Sequence, residues 1–242
     1  MANHVLLNNV DHKSLRVIKT RSAAYGDDVM CTMTFPNEFR SIQAHYPIVF
    51  SKEPESGKFQ ALALFGFEDK ENLFLEEDGW DATYIPLTIE RQPFLIGFQQ
   101  KSAGGEVAQQ TVIHIDMDSP RISETDGERV FLEHGGYTEY LNRINTVLGA
   151  IHNGFDGNEA FIDALLANEL LESFTLDVEL NDGTEYRLSG FFTVDEEKLR
   201  SLDGETLERL SRDGHLLPIY MVVASMSNFR DLIQRRNDLL EE

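Results

Sequence analysis

The sequence predicts an α+β fold. Three observations carry that expectation: a β-rich, turn-punctuated stretch over residues 1–130, apolar spacings of three and four over 137–171, and strict alternation on both sides of Asn181-Asp182-Gly183. The expected arrangement is an irregular β-rich N-terminal part, a helical pair, a β-hairpin that rejoins the sheet, and C-terminal helices packed on a mixed or antiparallel sheet. One domain over 1–242 is expected, with a sub-boundary near 118–130.

Residues 5–18 read as a turn leading into a strand, because the polar run Asn8-Asn9-Val10-Asp11-His12 precedes Leu15, Val17 and Ile18. A strand over 29–35 follows, and Pro36 opens a short helix over 37–45 that Pro47 ends. Residues 46–51 and 59–67 are expected to pair as antiparallel strands across the turn at 53–57. The acidic turn Glu76-Glu77-Asp78-Gly79 leads into residues 79–98, which hold the only tryptophan, Trp80, together with Pro86 and Pro93. Each proline removes a ladder donor, so an edge or bulged segment is expected there. A glycine-containing loop over 101–106 precedes a strand over 107–115, with Val107, Gln109, Thr111, Ile113 and Ile115 on one face.

Over 137–152, Tyr140, Leu141, Ile144, Val147, Leu148 and Ile151 mark one helix face, and Phe161, Ile162, Leu165, Leu166 and Leu170 mark another over 158–171. Gly154 and Gly157 lie between them, so the two helices are expected to fold back as an antiparallel pair. Phe174, Leu176, Val178 and Leu180 alternate before Asp182-Gly183, and Tyr186, Leu188 and Phe192 after it, the pattern of a hairpin with an Asp-Gly turn. Asp195 is placed to cap a helix over 196–202, and a helix over 205–212 stops at Asp213-Gly214. Residues 215–224 are apolar enough for a buried strand, and 227–240 close as a helix.

The 242 residues carry 42 Asp and Glu against 21 Lys and Arg, a formal charge of −21. A field of that sign repels phosphate backbones and anionic lipid, so nucleic acid and membrane surfaces are unexpected partners. Cys31 is the only cysteine, which excludes an intramolecular disulfide framework and fits a reducing compartment. No secretory h-region and no run of about 20 apolar residues is found, so a soluble cytoplasmic protein is expected.

The segments Asp11-His12-Lys13-Ser14-Leu15-Arg16-Val17, Tyr46-Pro47-Ile48-Val49-Phe50, Trp80-Asp81-Ala82-Thr83-Tyr84-Ile85-Pro86, Arg91-Gln92-Pro93-Phe94 and Gly190-Phe191-Phe192-Thr193-Val194-Asp195-Glu196 resemble the bacterial SapC-like family over nearly the whole chain. The family takes its name from a surface-layer gene region. Its members occur near flavin-dependent halogenase-like enzymes and outer-membrane receptors, so the resemblance implies an accessory role beside such systems. This chain departs from the family pattern at Glu90 and Gln92, which flank Arg91, and at Met221-Val222-Val223 after Tyr220.

Two constellations compete for a functional role. Trp80, Tyr84, Arg91 and Phe94 combine aromatic faces with one guanidinium, a set suited to a planar or anionic ligand or to a partner's carboxylate. Ordinary core packing is the plain alternative for these four. The second is His114-Ile115-Asp116, which on a strand places imidazole and carboxylate on one side. With His134, His152 or His215 as a distant third ligand, it would make the face of a non-haem iron oxygenase. Against that stands a strand-end pair bonded to loop backbone. No Gly-x-Ser-x-Gly elbow or phosphate-binding glycine loop is present, so a binding protein is the leading expectation. The closing helix offers a face for a protein partner or a homodimer seam.

Overall fold

A computed structural model describes residues 3–77, 79–103 and 106–241, and the side chains of 101–109 lie outside the description. Chain order runs β1 (His4–Leu6), β2 (Arg16–Val17), β3 (Cys31–Thr34), α1 (Phe39–Ile42), β4 (Ile48–Lys52), β5 (Phe59–Leu64), β6 (Leu75–Glu76), β7 (Gly79–Trp80), α2 (Leu87–Glu90), β8 (Phe94–Ala103) and β9 (Glu106–Asp116). It continues through β10 (Ile122–Ser123), β11 (Glu128–Arg129), α3 (Glu139–Ala167), β12 (Leu171–Glu179), β13 (Glu185–Val194), α4 (Glu196–Ser201), α5 (Gly204–Arg212), α6 (Leu216–Ser225) and α7 (Phe229–Glu241). The class is α+β, with antiparallel pairing in every described sheet.

Two compact units form, the first from residues 1–27 and 87–152, the second from 28–86 and 153–242. The expected β-rich stretch 1–130 is therefore divided. Its strands over 28–86 pair with the later hairpin because strand pairing follows complementary edges and faces, which sequence proximity does not fix. The connector at 118–130 lies inside the first unit.

In the first unit β1, β9 and β8 make one sheet in that order, so β8, which starts just after Pro93, is an edge strand, one of the two forms expected there. Pro86 precedes the single turn of α2, and the Gln92–Pro93 peptide is cis. The strands reach Ala103 and resume at Glu106, so residues 101–103 and 106, expected in a loop, belong to the paired strands, and 104–105 lie outside the described residues. Side chains of Val107 and Gln109, expected on one face with Thr111, Ile113 and Ile115, are outside the described residues. Leu15, Val17, Phe94, Ile115, Val130, Phe131, Leu141, Ile144 and Leu148 form the core of this unit.

The second unit is built on a five-stranded sheet, β12-β13-β4-β5-β3. The Asp-Gly hairpin is present, with Gly183 at φ +83°, its N–H on the Leu180 carbonyl, and β13 joined to β4 at Phe192↔Phe50. Asp195 caps α4 by accepting the Lys198 N–H at 2.9 Å, and Gly214 follows α5 at φ +81°.

Two expectations fail in informative ways. Residues 139–167 form one continuous helix, α3, in place of an antiparallel pair. Gly154 is there for close packing: a Cβ on it would lie 2.7 Å from Cγ of Phe35. A glycine costs about 1 kcal/mol in a helix interior, which a helix of 29 residues absorbs. Residues 216–225 form α6 where a strand was expected. A short apolar run fits a buried strand or a buried helix equally, and here α6 packs on β4, β13 and α1.

Candidate functional site

Arg91 lies at the corner between α2 and β8, where its N–H bonds the Leu87 carbonyl at 3.0 Å and its carbonyl accepts the Phe94 N–H at 2.8 Å. Its Nη1 donates to the Phe94 carbonyl at 2.7 Å, and the Phe94 side chain is fully buried. The guanidinium is half-buried, and no carboxylate among the described residues pairs with it. Burial alone pulls its pKa below the ordinary arginine value, whereas for Arg21 the same effect is opposed by Asp27. Glu90, adjacent in sequence, is taken by Arg143 through two bonds of 2.8 Å.

Trp80 and Tyr84 belong to the second unit, whereas Arg91 and Phe94 belong to the first. Trp80 Nε1 donates to the Tyr46 hydroxyl at 2.8 Å, and that hydroxyl donates to the Tyr84 carbonyl. Tyr84 Oη and Thr34 Oγ1 each donate to the buried Glu38 carboxylate at 2.9 Å. These bonds engage the polar ends of Trp80 and Tyr84 within their own unit. Desolvation raises the Tyr46 pKa strongly.

His114 lies on β9 opposite Leu95 and packs across Gly97, where a Cβ would come within 2.4 Å of the imidazole Cδ2. Asp116 Oδ1 accepts the N–H groups of Asn3 and Asp118, both at 3.1 Å. Strand alternation puts the two side chains on one side, as expected. Among the described residues no set of three His, Cys, Asp or Glu side chains is close enough to hold a metal. His114 and Asp116 therefore offer a donor pair without a third ligand among the described residues, and Asp116 works as the acceptor of a strand-end turn.

Two arrangements were invisible in the sequence. In the first unit, Asp27 is wholly buried and accepts from Arg121 Nη2, from Arg21 Nη1 at 3.2 Å and from Ser22 N at 2.9 Å. Arg121, 1% exposed, also donates to the carbonyls of Ile18 and Thr20 and lies over the Tyr25 ring. Its partner is 94 residues away, a separation no local pattern marks. In the second unit, a cavity of about 370 Å³ is walled by Phe35, Phe59 and Phe155, with Asn158, Glu53 and Thr34 among its lining. Asn158 Oδ1 is buried there with no hydrogen-bond partner among the described residues. Neither Arg91 nor His114 lines this cavity or those of about 850 and 540 Å³.

Charge divides between the units as well. The first carries 9 Lys and Arg against 11 Asp and Glu, which leaves 12 against 31 on the second. An anion therefore meets little net repulsion at the first unit and strong repulsion at the second.

The fold and these sites define an α+β protein with a nearly neutral unit, in which Arg91 has no carboxylate partner among the described residues, and an acidic unit with an aromatic-walled cavity. The chain belongs to the SapC family, whose profile matches residues 7–232. Neither the curated proteins nor the solved structures gave a match. No helix among the described residues is long and apolar enough to cross a membrane.

Proposed function

We propose that this SapC-family chain is a cytoplasmic accessory protein that binds without catalysing, and that Arg91 anchors the carboxylate of a planar ligand or of a partner. The observation that carries this reading is a half-buried guanidinium with one backbone hydrogen bond and no carboxylate partner among the described residues, in a chain where acids outnumber bases two to one. A desolvated arginine without a counter-ion is costly, and an incoming carboxylate would offset that cost with paired bonds. The Phe94 carbonyl holds the guanidinium in place, while Trp80 and Tyr84 hold the second unit through Tyr46 and Glu38.

Calorimetric titration with benzoate, a planar carboxylate, tests this. Saturable binding is expected to the native protein, weakened about tenfold or more in Arg91→Ala, with the melting temperature nearly unchanged. A large loss of stability in Arg91→Ala, or no benzoate binding to the native protein, would make Arg91 a structural residue.

A further inference from the structure

We propose that the cavity walled by Phe35, Phe59 and Phe155 is a second ligand site, which takes a small primary amine carrying an aromatic or apolar body. It is distinct from Arg91 in unit, in lining and in the charge it selects. Its volume of about 370 Å³ lies within the range of small-molecule pockets, and its lining sets three aromatic rings beside polar side chains. Three features give the ligand its chemistry.

The first is Asn158 Oδ1, buried and without a partner among the described residues. A carbonyl oxygen accepts only, so the group that satisfies it must donate. The second is the aromatic wall: Phe35 and Phe155 meet edge to face at 4.7 Å, and Phe59 meets Phe192 in the same way at 4.9 Å. Rings so placed receive an apolar body, and their faces attract an ammonium group, as Phe59 already does with Lys52 Nζ at 5.8 Å from its centroid. The third is charge. Glu53 lines the cavity, and the other charged lining residue, Lys58, is held by Glu159 at 2.8 Å. The unit around them carries 31 acids against 12 bases, so a cation is drawn in and a carboxylate of the same shape is repelled. Gly154 completes the design, because its missing side chain lets α3 approach Phe35 closely enough to wall the space.

The test is calorimetric titration of the full chain with phenethylamine, with phenylacetate and methylamine as controls. Saturable binding of phenethylamine is expected, with none for phenylacetate, which has the wrong charge, or for methylamine, which lacks the ring. Asn158→Ala should weaken phenethylamine binding about tenfold, the worth of one hydrogen bond to a charged donor, while its circular-dichroism melt holds. Phe155→Ala, at a ring that is 48% exposed, should weaken it as well. Phenylacetate binding as tightly as phenethylamine, phenethylamine binding unchanged in both variants, or no phenethylamine binding at millimolar concentration would each overturn the proposal.

Discussion

Replacing Asp27 by asparagine keeps the side-chain shape and removes one negative charge from a place where two guanidiniums converge. Asp27 is 0% and Arg121 is 1% exposed, so the interaction is governed by the low-dielectric interior. Removing one partner of a buried ion pair costs about 3–5 kcal/mol, chiefly because the other charge is left uncompensated. Arg121 keeps its bonds to the carbonyls of Ile18 and Thr20, so the lower end, about 3 kcal/mol, is expected. For a chain of this size that is a fall of about 6–12 °C in melting temperature. Urea unfolding and calorimetry should agree on it. The comparison is Glu90→Gln, which breaks the two-bond contact with Arg143; that arginine's side chain is 56% exposed, so the cost should stay below about 1 kcal/mol. Equal costs for the two substitutions would refute the argument that burial sets the worth of these pairs.

Other outcomes follow from the same geometry. Burial raises the pKa of Tyr46 and Tyr140 above the ordinary value of 10.0, so both stay neutral in the folded state. The stability they contribute is complete below pH 10.0 and falls above it as the unfolded chain releases protons first; tyrosinate absorbance should show at least two tyrosines ionising only with unfolding. Gly154→Ala places a methyl 2.7 Å from the Phe35 ring and should cost about 1–3 kcal/mol, although alanine is the better helix former; a stabilised variant would mean that Gly154 is not a packing residue. Asp116→Ala removes the acceptor for Asn3 and Asp118 N–H and should cost about 1 kcal/mol with unchanged metal content. Stoichiometric iron in protein purified without chelator, lost in that variant, would instead make His114 and Asp116 ligands.

The readable parts of the fold were those fixed by neighbours in sequence. The hairpin around Asp182-Gly183 and the caps at Asp195 and Gly214 are local chemistry, and each appears where the residues place it. The helix break at Gly154 and the strand at 215–224 were misread for one reason: a glycine or an apolar run acquires its meaning from what packs on it, Phe35 in one case and β4 in the other. Arg91 stood out through its setting among aromatics and prolines, but its lack of a counter-ion among the described residues is a tertiary fact. Asp27 with Arg121 comes together across distant segments, as do Phe35 and Phe59 with the Phe155 and Asn158 pair of α3, and neither meeting leaves a periodic trace.

A crystal structure of the protein soaked with benzoate examines Arg91 most directly. The carboxylate should lie within hydrogen-bonding distance of the guanidinium, with Arg91 Nη1 still on the Phe94 carbonyl. Benzoate lodged elsewhere, or a guanidinium turned onto a carboxylate of its own chain, would leave Arg91 no binding role.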